Sequence, residues 1–190
     1  MRVFIAVAGA ALLLSAFACG RSPTGPSGTL TVRLRDSPFT DAKSLLVTFS
    51  EVSAHKSDQP DNGWSKLPFT GGATTRTCDL KKLQTTQDIL GTGPLTAGHY
   101  TQLRLIVSSA AIYFDNAAAG AVCDTTIVAP SGRSAPVVIP SGEVKLNREF
   151  DVPSAGATNI LVDFNGDQSV RETGNGTFMM SPVIAIVSVQ

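Results

Sequence analysis

An alternation of apolar and polar residues with a period of two constrains the fold of this chain most strongly. In the stretch 28–35 the apolar residues Leu30, Val32 and Leu34 alternate with threonine and arginine. Successive side chains of an extended chain point to opposite sides, so this pattern predicts a β-strand with one buried and one wet face. Antiparallel sheets that are solvated on one side typically contain such strands.

The same alternation recurs, and residues typical of turns separate the runs. The recurring apolar positions are Leu103, Leu105 and Val107; Val144, Leu146, Phe150 and Val152; and Ile160, Val162 and Phe164. Only the segment 79–90 looks helical, with Asp79 as a candidate N-cap. We therefore expect an all-β fold, an antiparallel two-sheet sandwich of immunoglobulin-like or prealbumin-like type, with one short helix near residues 79–90.

Two irregularities refine this expectation. The apolar phase changes within 101–114, which predicts a bulge or bend near Ser108 and Ser109. The run 183–187 is apolar on both faces and predicts a strand that is covered on each side, with Pro182 at its start or at an irregular point.

The N-terminus has the features of an export signal. The run 3–17 is almost wholly apolar and follows Arg2. It is shorter than the roughly twenty residues that a membrane-spanning helix needs, so it predicts a signal peptide. We expect the signal peptide to cover residues 1–18.

Cys19 follows the small-x-small site at 16–18, which resembles the lipobox of bacterial lipoproteins. We predict that Cys19 carries the lipid anchor, that 19–27 is a flexible tether rich in Ser, Pro and Gly, and that 28–190 forms a single domain. Gly20 in place of aspartate points to the outer membrane of a Gram-negative cell. The alternative is simple secretion with Cys19 as a free thiol.

Charge and the other cysteines limit the partners and the chemistry. The 15 basic and 15 acidic residues create no basic field, so we expect no nucleic-acid partner; the membrane is contacted through the lipid anchor. Cys78 and Cys123 are expected to form a disulfide, because a zinc site needs four ligands. The alternative is two reduced thiols too far apart to bridge.

Several short motifs, taken in their order, resemble a known family. They are Gly28-x-Leu30-x-Val32-x-Leu34-x-Asp36-Ser37-Pro38, Asp79-Leu80, Leu95-x-Ala97-Gly98-x-Tyr100-x-x-Leu103, Val162-Asp163-Phe164 with Ser169-Val170, and Pro182-Val183-Ile184. Together they span nearly all of 28–189 and resemble the bacterial domain-of-unknown-function 4382 family. The resemblance implies an exported, often lipid-anchored β-sandwich of Gram-negative cells, and it implies no activity. The segment 115–139 departs from the family pattern.

Four polar residues are candidate ligands of a metal ion. Asp163, Asn165 and Asp167 alternate, and Asp36 ends the first predicted strand, so their oxygens could converge on Ca²⁺ at one end of the sandwich. The spacing does not match an EF-hand. The alternative is structural: an Asx-type turn at Asp36, backbone hydrogen bonds to Asp163, and a polar turn at 165–167.

The sequence carries no nucleophile elbow, zinc-protease, phosphate-loop or dinucleotide motif, and His55 and His99 are expected at the surface. Trp64, the sole tryptophan, either stacks on a sugar or packs on a neighbouring strand. We therefore expect a non-catalytic cell-envelope lipoprotein with a binding or structural role, no cofactor, and a protein or glycan partner. The alternative is a calcium-stabilised carbohydrate-binding or adhesion module.

Overall fold

The computed structural model describes residues 25–37 and 42–190. The signal peptide, Cys19 and most of the predicted tether lie outside the described residues. The strands are β1 (Ser27–Ser37), β2 (Ser44–Lys56), β3 (Trp64–Lys66), β4 (Arg76–Asp79), β5 (Asp88–Thr96), β6 (Gly98–Tyr113), β7 (Cys123–Asp124), β8 (Ser134–Val138), β9 (Glu143–Val152), β10 (Ala157–Asn165), β11 (Val170–Gly174), β12 (Thr177–Met180) and β13 (Ile184–Val189). The α-helices are α1 (Leu80–Leu83) and α2 (Gly166–Ser169), and a 3₁₀ turn covers Thr70–Gly72.

The strands form two sheets, so the predicted all-β sandwich is confirmed. The first sheet has four strands in the order β13-β10-β1-β5. The second has nine, in the order β11-β12-β8-β6-β2-β4-β7, with β3 paired to β2 and β9 paired to β6. Two pairs, β1 with β10 and β12 with β8, are parallel, whereas the sequence led us to expect antiparallel sheets. Alternation reports which face of a strand is buried and carries no information on the direction of its neighbour.

The core lies between the two sheets. The apolar residues of the alternating runs face inward, including Leu30, Val32 and Leu34 of β1, which are fully buried. Phe49 of the second sheet meets Phe164 of the first edge to face, with ring centroids 6.4 Å apart. Such contacts across the core hold the sheets together through the burial of apolar surface.

The predicted helix is much shorter than the segment 79–90. It is the single turn α1, and the Asp79 side chain caps it by accepting a hydrogen bond from the Lys81 backbone N–H. Leu90 lies instead in β5, because pairing with β1 takes the chain from Asp88 onward into the first sheet. The predicted bulge is present, since Ser108 is skipped where Thr48 pairs with Ser109 and Phe49 with Val107.

The prediction that 183–187 is covered on both faces is wrong. β13 lies at an edge of the first sheet, and the side chains of Val183 and Val187 are 40% and 46% exposed. In the part of the chain that the structure describes, no helix has the length and apolar character needed to cross a membrane.

Candidate functional site

The candidate metal ligands surround the end of β1 and the turn after β10. Asp36 is buried, and its Oδ1 accepts a hydrogen bond of 3.0 Å from the Gly166 backbone N–H at the start of α2. Its Oδ2 has no hydrogen bond of good geometry among the described residues. The carboxyl group therefore joins β1 to the turn that follows β10.

Asp163 lies on the other face of the same sheet. In the parallel register Asp163 is opposite Arg35, and the two residues share the outer face of the sheet. Asp36 is opposite Phe164, and these two residues share the inner face. The Oδ2 of Asp163 accepts a hydrogen bond of 2.6 Å from Ser37 Oγ. Its Oδ1 lies 2.9 Å from Arg35 Nε, an ion-pair distance without hydrogen-bond geometry. This carboxylate is thus neutralised on the surface of the first sheet.

Asn165 and Asp167 build the turn itself. The Oδ1 of Asn165 accepts a hydrogen bond of 2.9 Å from the Gln168 N–H and caps α2, whereas Asp167 is exposed in the first turn of that helix. Among residues 25–37 and 42–190, no group of three or more His, Cys, Asp and Glu side chains is placed to hold a metal ion. The calcium site stays a prediction. Of the structural alternative, the polar turn at 165–167 is present, whereas Asp163 is held by the side chains of Ser37 and Arg35 instead of backbone N–H groups.

Burial raises the pKa of Asp36 to about 7. The hydrogen bonds from the Gly166 N–H and from the Gln84 side chain act in the opposite direction, as does the charge of Lys81, while the charge of Asp163 adds to the rise. An ionised carboxylate loses its hydration when it is buried, and these hydrogen bonds do not compensate for that loss. Asp36 is therefore a buried acid that changes charge near neutral pH.

Cys78 of β4 and Cys123 of β7 form a disulfide, as predicted from the sequence. The two residues face each other across the β4–β7 pair, and both are buried. The neighbouring Asp79 accepts hydrogen bonds from Ser44 Oγ and the Leu45 backbone N–H. This edge of the second sheet is therefore held by a covalent bond and by a buried carboxylate.

A second polar constellation, which the sequence did not predict, lies on the outer face of the second sheet. We call it the Trp64 surface and define it by Glu51, Trp64, Lys66, Arg104 and Lys145. Strand pairing assembles it: Ser53 of β2 pairs with Lys66 of β3 and with Arg104 of β6, and Arg104 pairs with Lys145 of β9. Four strands that are far apart in the sequence therefore contribute to one surface.

The indole of Trp64 lies against the cations of this surface. The guanidinium carbon of Arg104 is 4.3 Å from the ring centroid, and Lys145 Nζ is 5.8 Å from it. His55 contacts the ring with a centroid separation of 5.2 Å, and the indole N–H donates to the Asp61 carbonyl. The ring is half-buried. Trp64 is thus held in one orientation and keeps part of its apolar surface open to solvent.

Glu51 pairs with two cations of this surface, one of which, Arg104, lies over the indole. Its carboxylate pairs with Lys66 Nζ at 2.5 Å and with the Arg104 guanidinium, and it accepts a hydrogen bond from Ser53 Oγ at 2.8 Å. Burial opposes its charge, but the hydrogen bonds from Lys66, Ser53 and Arg104 lower the pKa of Glu51 overall. An ionised, fully occupied carboxylate positions Arg104 and is a poor proton acceptor for a ligand.

A cleft of about 360 Å³ adjoins this surface. Glu51 and Lys66 line one side of it, and Leu67, Pro68 and Phe69 contribute apolar walls. The Trp64 surface and this cleft together combine an aromatic ring, charged groups and an apolar concavity, which is the usual composition of a small ligand site.

The histidines lie on the surface side of the fold. His99 Nδ1 is 2.9 Å from Asp151 Oδ1, and His55 Nε2 is 3.0 Å from the Pro60 carbonyl oxygen. Two sequence signals point to the Trp64 surface: the sole tryptophan itself and the polar residues at alternate positions of β2. The alternation indicates that Glu51 and His55 share a face, but neither signal indicates that Arg104 and Lys145 lie beside them.

The model of a family described as "Domain of unknown function (DUF4382)" matches residues 27–182. Comparisons with curated proteins and with solved structures found no match. The matched range includes β1 to β12, and with them the second sheet, the Trp64 surface and three of the four strands of the first sheet. The chain therefore belongs to the DUF4382 family, as its ordered motifs indicated.

Proposed function

We propose that this protein is a non-catalytic lipoprotein of the bacterial cell envelope whose β-sandwich binds a ligand through the Trp64 surface. One observation carries the binding role: an indole is held on the outside of a sheet by Arg104 and keeps part of its ring exposed. A tryptophan that served only to fill the core would lie between the sheets.

The anchor half of the proposal comes from the N-terminal sequence. Cys19 directly follows the apolar run and the small-x-small site. From Cys19 to Ser27, where β1 begins, there are eight Cα–Cα steps, which span at most roughly 28 Å. The β2–β3 turn and Trp64 lie at the end of the sandwich where β1 begins, because Ser27 pairs with Thr96 and Lys56 pairs with Tyr100. In the anchored protein the tether keeps this end of the sandwich within roughly 28 Å of the lipid-bearing Cys19.

A carbohydrate is the ligand class that this surface favours. Sugar rings present C–H groups that stack on an indole, and their hydroxyls need planar polar partners. Gln102 of β6 pairs with Asn147 of β9, two residues along each strand from the pair of Arg104 and Lys145. Residues two apart on a strand share a face, so the two amide side chains supply hydrogen-bond donors and acceptors on the Trp64 surface. We therefore propose an envelope glycan as the ligand.

The binding role is tested by fluorescence, because Trp64 is the sole tryptophan and its emission reports on this surface alone. Soluble fragments of envelope glycans are titrated into the protein. We expect saturable changes in emission, and loss of binding in Trp64→Ala when it is measured by calorimetry. Val138→Ala, which truncates an exposed side chain of the second sheet away from Trp64, is the matched control. Binding that is equally strong in Trp64→Ala overturns the assignment of this surface.

The anchor is tested separately in a bacterial host. We expect metabolic labelling with a fatty-acid analogue to require Cys19, and the Cys19→Ala protein to appear in the soluble exported fraction. Full membrane retention of Cys19→Ala contradicts the anchor and leaves the binding role intact.

A further inference from the structure

The outer face of the second sheet presents its side chains in rows that cross the strands. Residues that pair across β3, β2, β6 and β9 lie side by side, and residues two apart on one strand share a face. The row next to the β2–β3 turn combines aromatic and amide groups and consists of Trp64, His55, Gln102 and Asn147. The next row, which we call the cationic row, consists of Lys66, Ser53, Arg104 and Lys145.

The cationic row directs positive charge to solvent. The side chains of Lys66 and Lys145 are 70% and 51% exposed, whereas Glu51, which pairs with Lys66, is 7% exposed. An ammonium group has three N–H donors, so a pair with one carboxylate leaves donors for a ligand. A ligand that approaches from solvent therefore meets two ammonium groups before it meets the buried carboxylate.

The carboxylates of these strands lie in a third row, which consists of Glu51, Ile106 and Glu143. Glu143 Oε1 is 3.5 Å from Lys145 Nζ and 3.6 Å from Arg104 Nη1. The three cations of the cationic row, set against these two carboxylates, leave one positive charge on a chain whose formal net charge is zero. The Trp64 surface is thus locally positive, which favours an anionic ligand.

The β2–β3 turn carries the opposite sign. Asp58 and Asp61 give this turn two negative charges, of which Lys56 offsets one by pairing with Asp58 at 2.7 Å. The Asp61 backbone carbonyl accepts the hydrogen bond from the indole N–H, so the turn lies against one edge of Trp64. An anionic group on a bound ligand is therefore favoured on the other side of the indole, over the cationic row.

The length of the cationic row suits a short oligosaccharide. Lys66 and Lys145 are three strand spacings apart, which is about 14 Å between their Cα atoms. The indole lies between them, with Lys145 Nζ 5.8 Å from its ring centroid. A sugar stacked on the indole places its substituents beside this ammonium group, and further sugars of the same chain extend along the row.

We propose that the ligand of the Trp64 surface is an anionic oligosaccharide that lies across the strands, with one sugar stacked on Trp64 and its carboxylate or phosphate groups bound by Lys66 and Lys145. This inference rests on the proposed function and names the class of glycan. Hydrogen bonds between an ammonium group and an anionic oxygen are about twice as strong as those between neutral groups, so the charged glycan binds more tightly than a neutral one of the same shape.

Calorimetry with matched pairs of probes tests the role of the charge. Trigalacturonate is compared with its methyl ester, which has the same sugar rings without the charge, and maltotriose that carries a phosphate is compared with maltotriose. We expect an anionic form to bind about tenfold more tightly than its neutral partner at low salt. Added salt should reduce this preference. The pair that shows it distinguishes a carboxylated from a phosphorylated glycan.

Lys145→Gln and Lys66→Gln test the assignment of the charge to the cationic row. Lys145→Gln should fold normally, because Lys145 and its partner Glu143 are both about half exposed. We expect each substitution to reduce the preference for the anionic form. Lys43→Gln is the matched control and should keep the preference, because Lys43 is exposed beside the Ser44–Tyr113 pair at the opposite end of the second sheet.

The outcomes separate this inference from the proposed function. Equal binding of the anionic and neutral forms, lost in Trp64→Ala, overturns the inference and leaves the glycan-binding role intact. A preference that persists in both lysine variants also overturns it, and so does the absence of binding by both anionic probes. Binding of any probe that is equally strong in Trp64→Ala overturns the proposed function itself.

Discussion

Replacement of Asp36 with asparagine is expected to stabilise the domain, and the gain should grow as the pH rises. Burial raises the pKa of this carboxyl group from 3.8 to about 7 in the folded protein. Between these two values the folded state holds a proton that the unfolded state has released. Stability therefore falls as the pH rises through this window, and above it the full penalty for an ionised buried carboxylate is present.

The size of the effect follows from the size of the shift. One pKa unit corresponds to about 1.4 kcal/mol, so the full penalty above neutral pH is at most about 4 kcal/mol. Asparagine has nearly the same shape, its Oδ1 can still accept the hydrogen bond from the Gly166 N–H, and it carries no charge. We expect the advantage of Asp36→Asn over the natural chain to grow by about 3 kcal/mol between about pH 5 and pH 8.

Urea unfolding followed by circular dichroism at several pH values measures this difference. The control is Asp167→Asn, which removes an exposed carboxylate from the adjacent helix α2 and should leave the pH dependence of stability unchanged. If the stability curves of Asp36→Asn and the natural chain run parallel over this range, Asp36 does not titrate there and the argument from burial is refuted.

The remaining predictions concern groups that hold the sheets and the Trp64 surface. Reduction of the Cys78–Cys123 disulfide should lower the free energy of unfolding by about 4 kcal/mol, because it frees a loop with a sequence separation of 45. Urea unfolding with and without reductant measures this loss, and an unchanged unfolding midpoint contradicts the prediction. Asp79→Ala should cost about 3 kcal/mol in the same assay, since it removes the cap of α1 and two further buried hydrogen bonds. Arg104→Ala should lower the free energy of unfolding by about 2 kcal/mol, because Glu51 loses one of its two cationic partners. The same substitution should broaden the fluorescence emission of Trp64, and an unchanged spectrum argues against the cation–π contact. A chelator should leave the Tm unchanged, and a lower Tm would support the calcium hypothesis.

Local patterns determined much of the fold before any coordinates were considered. The alternation of Leu30, Val32 and Leu34 predicted which face of β1 is buried, and Asp79 predicted a cap, because both depend on residues within a few positions of each other. The phase change near Ser108 predicted the bulge in β6 for the same reason. The ordered motifs along the chain also indicated the family.

Only the tertiary structure decided which strands became neighbours. The parallel register of β1 and β10 places Asp36 and Asp163 on opposite faces, although the sequence suggested that they converge. The pairing of β6 with β2 and β9 brings Arg104 to Glu51 and beneath Trp64. The alternation of apolar and polar side chains along a strand indicates which of its faces is turned to the core. The neighbour of that strand and the register between the two strands depend on contacts between distant segments, which leave no local pattern in the sequence.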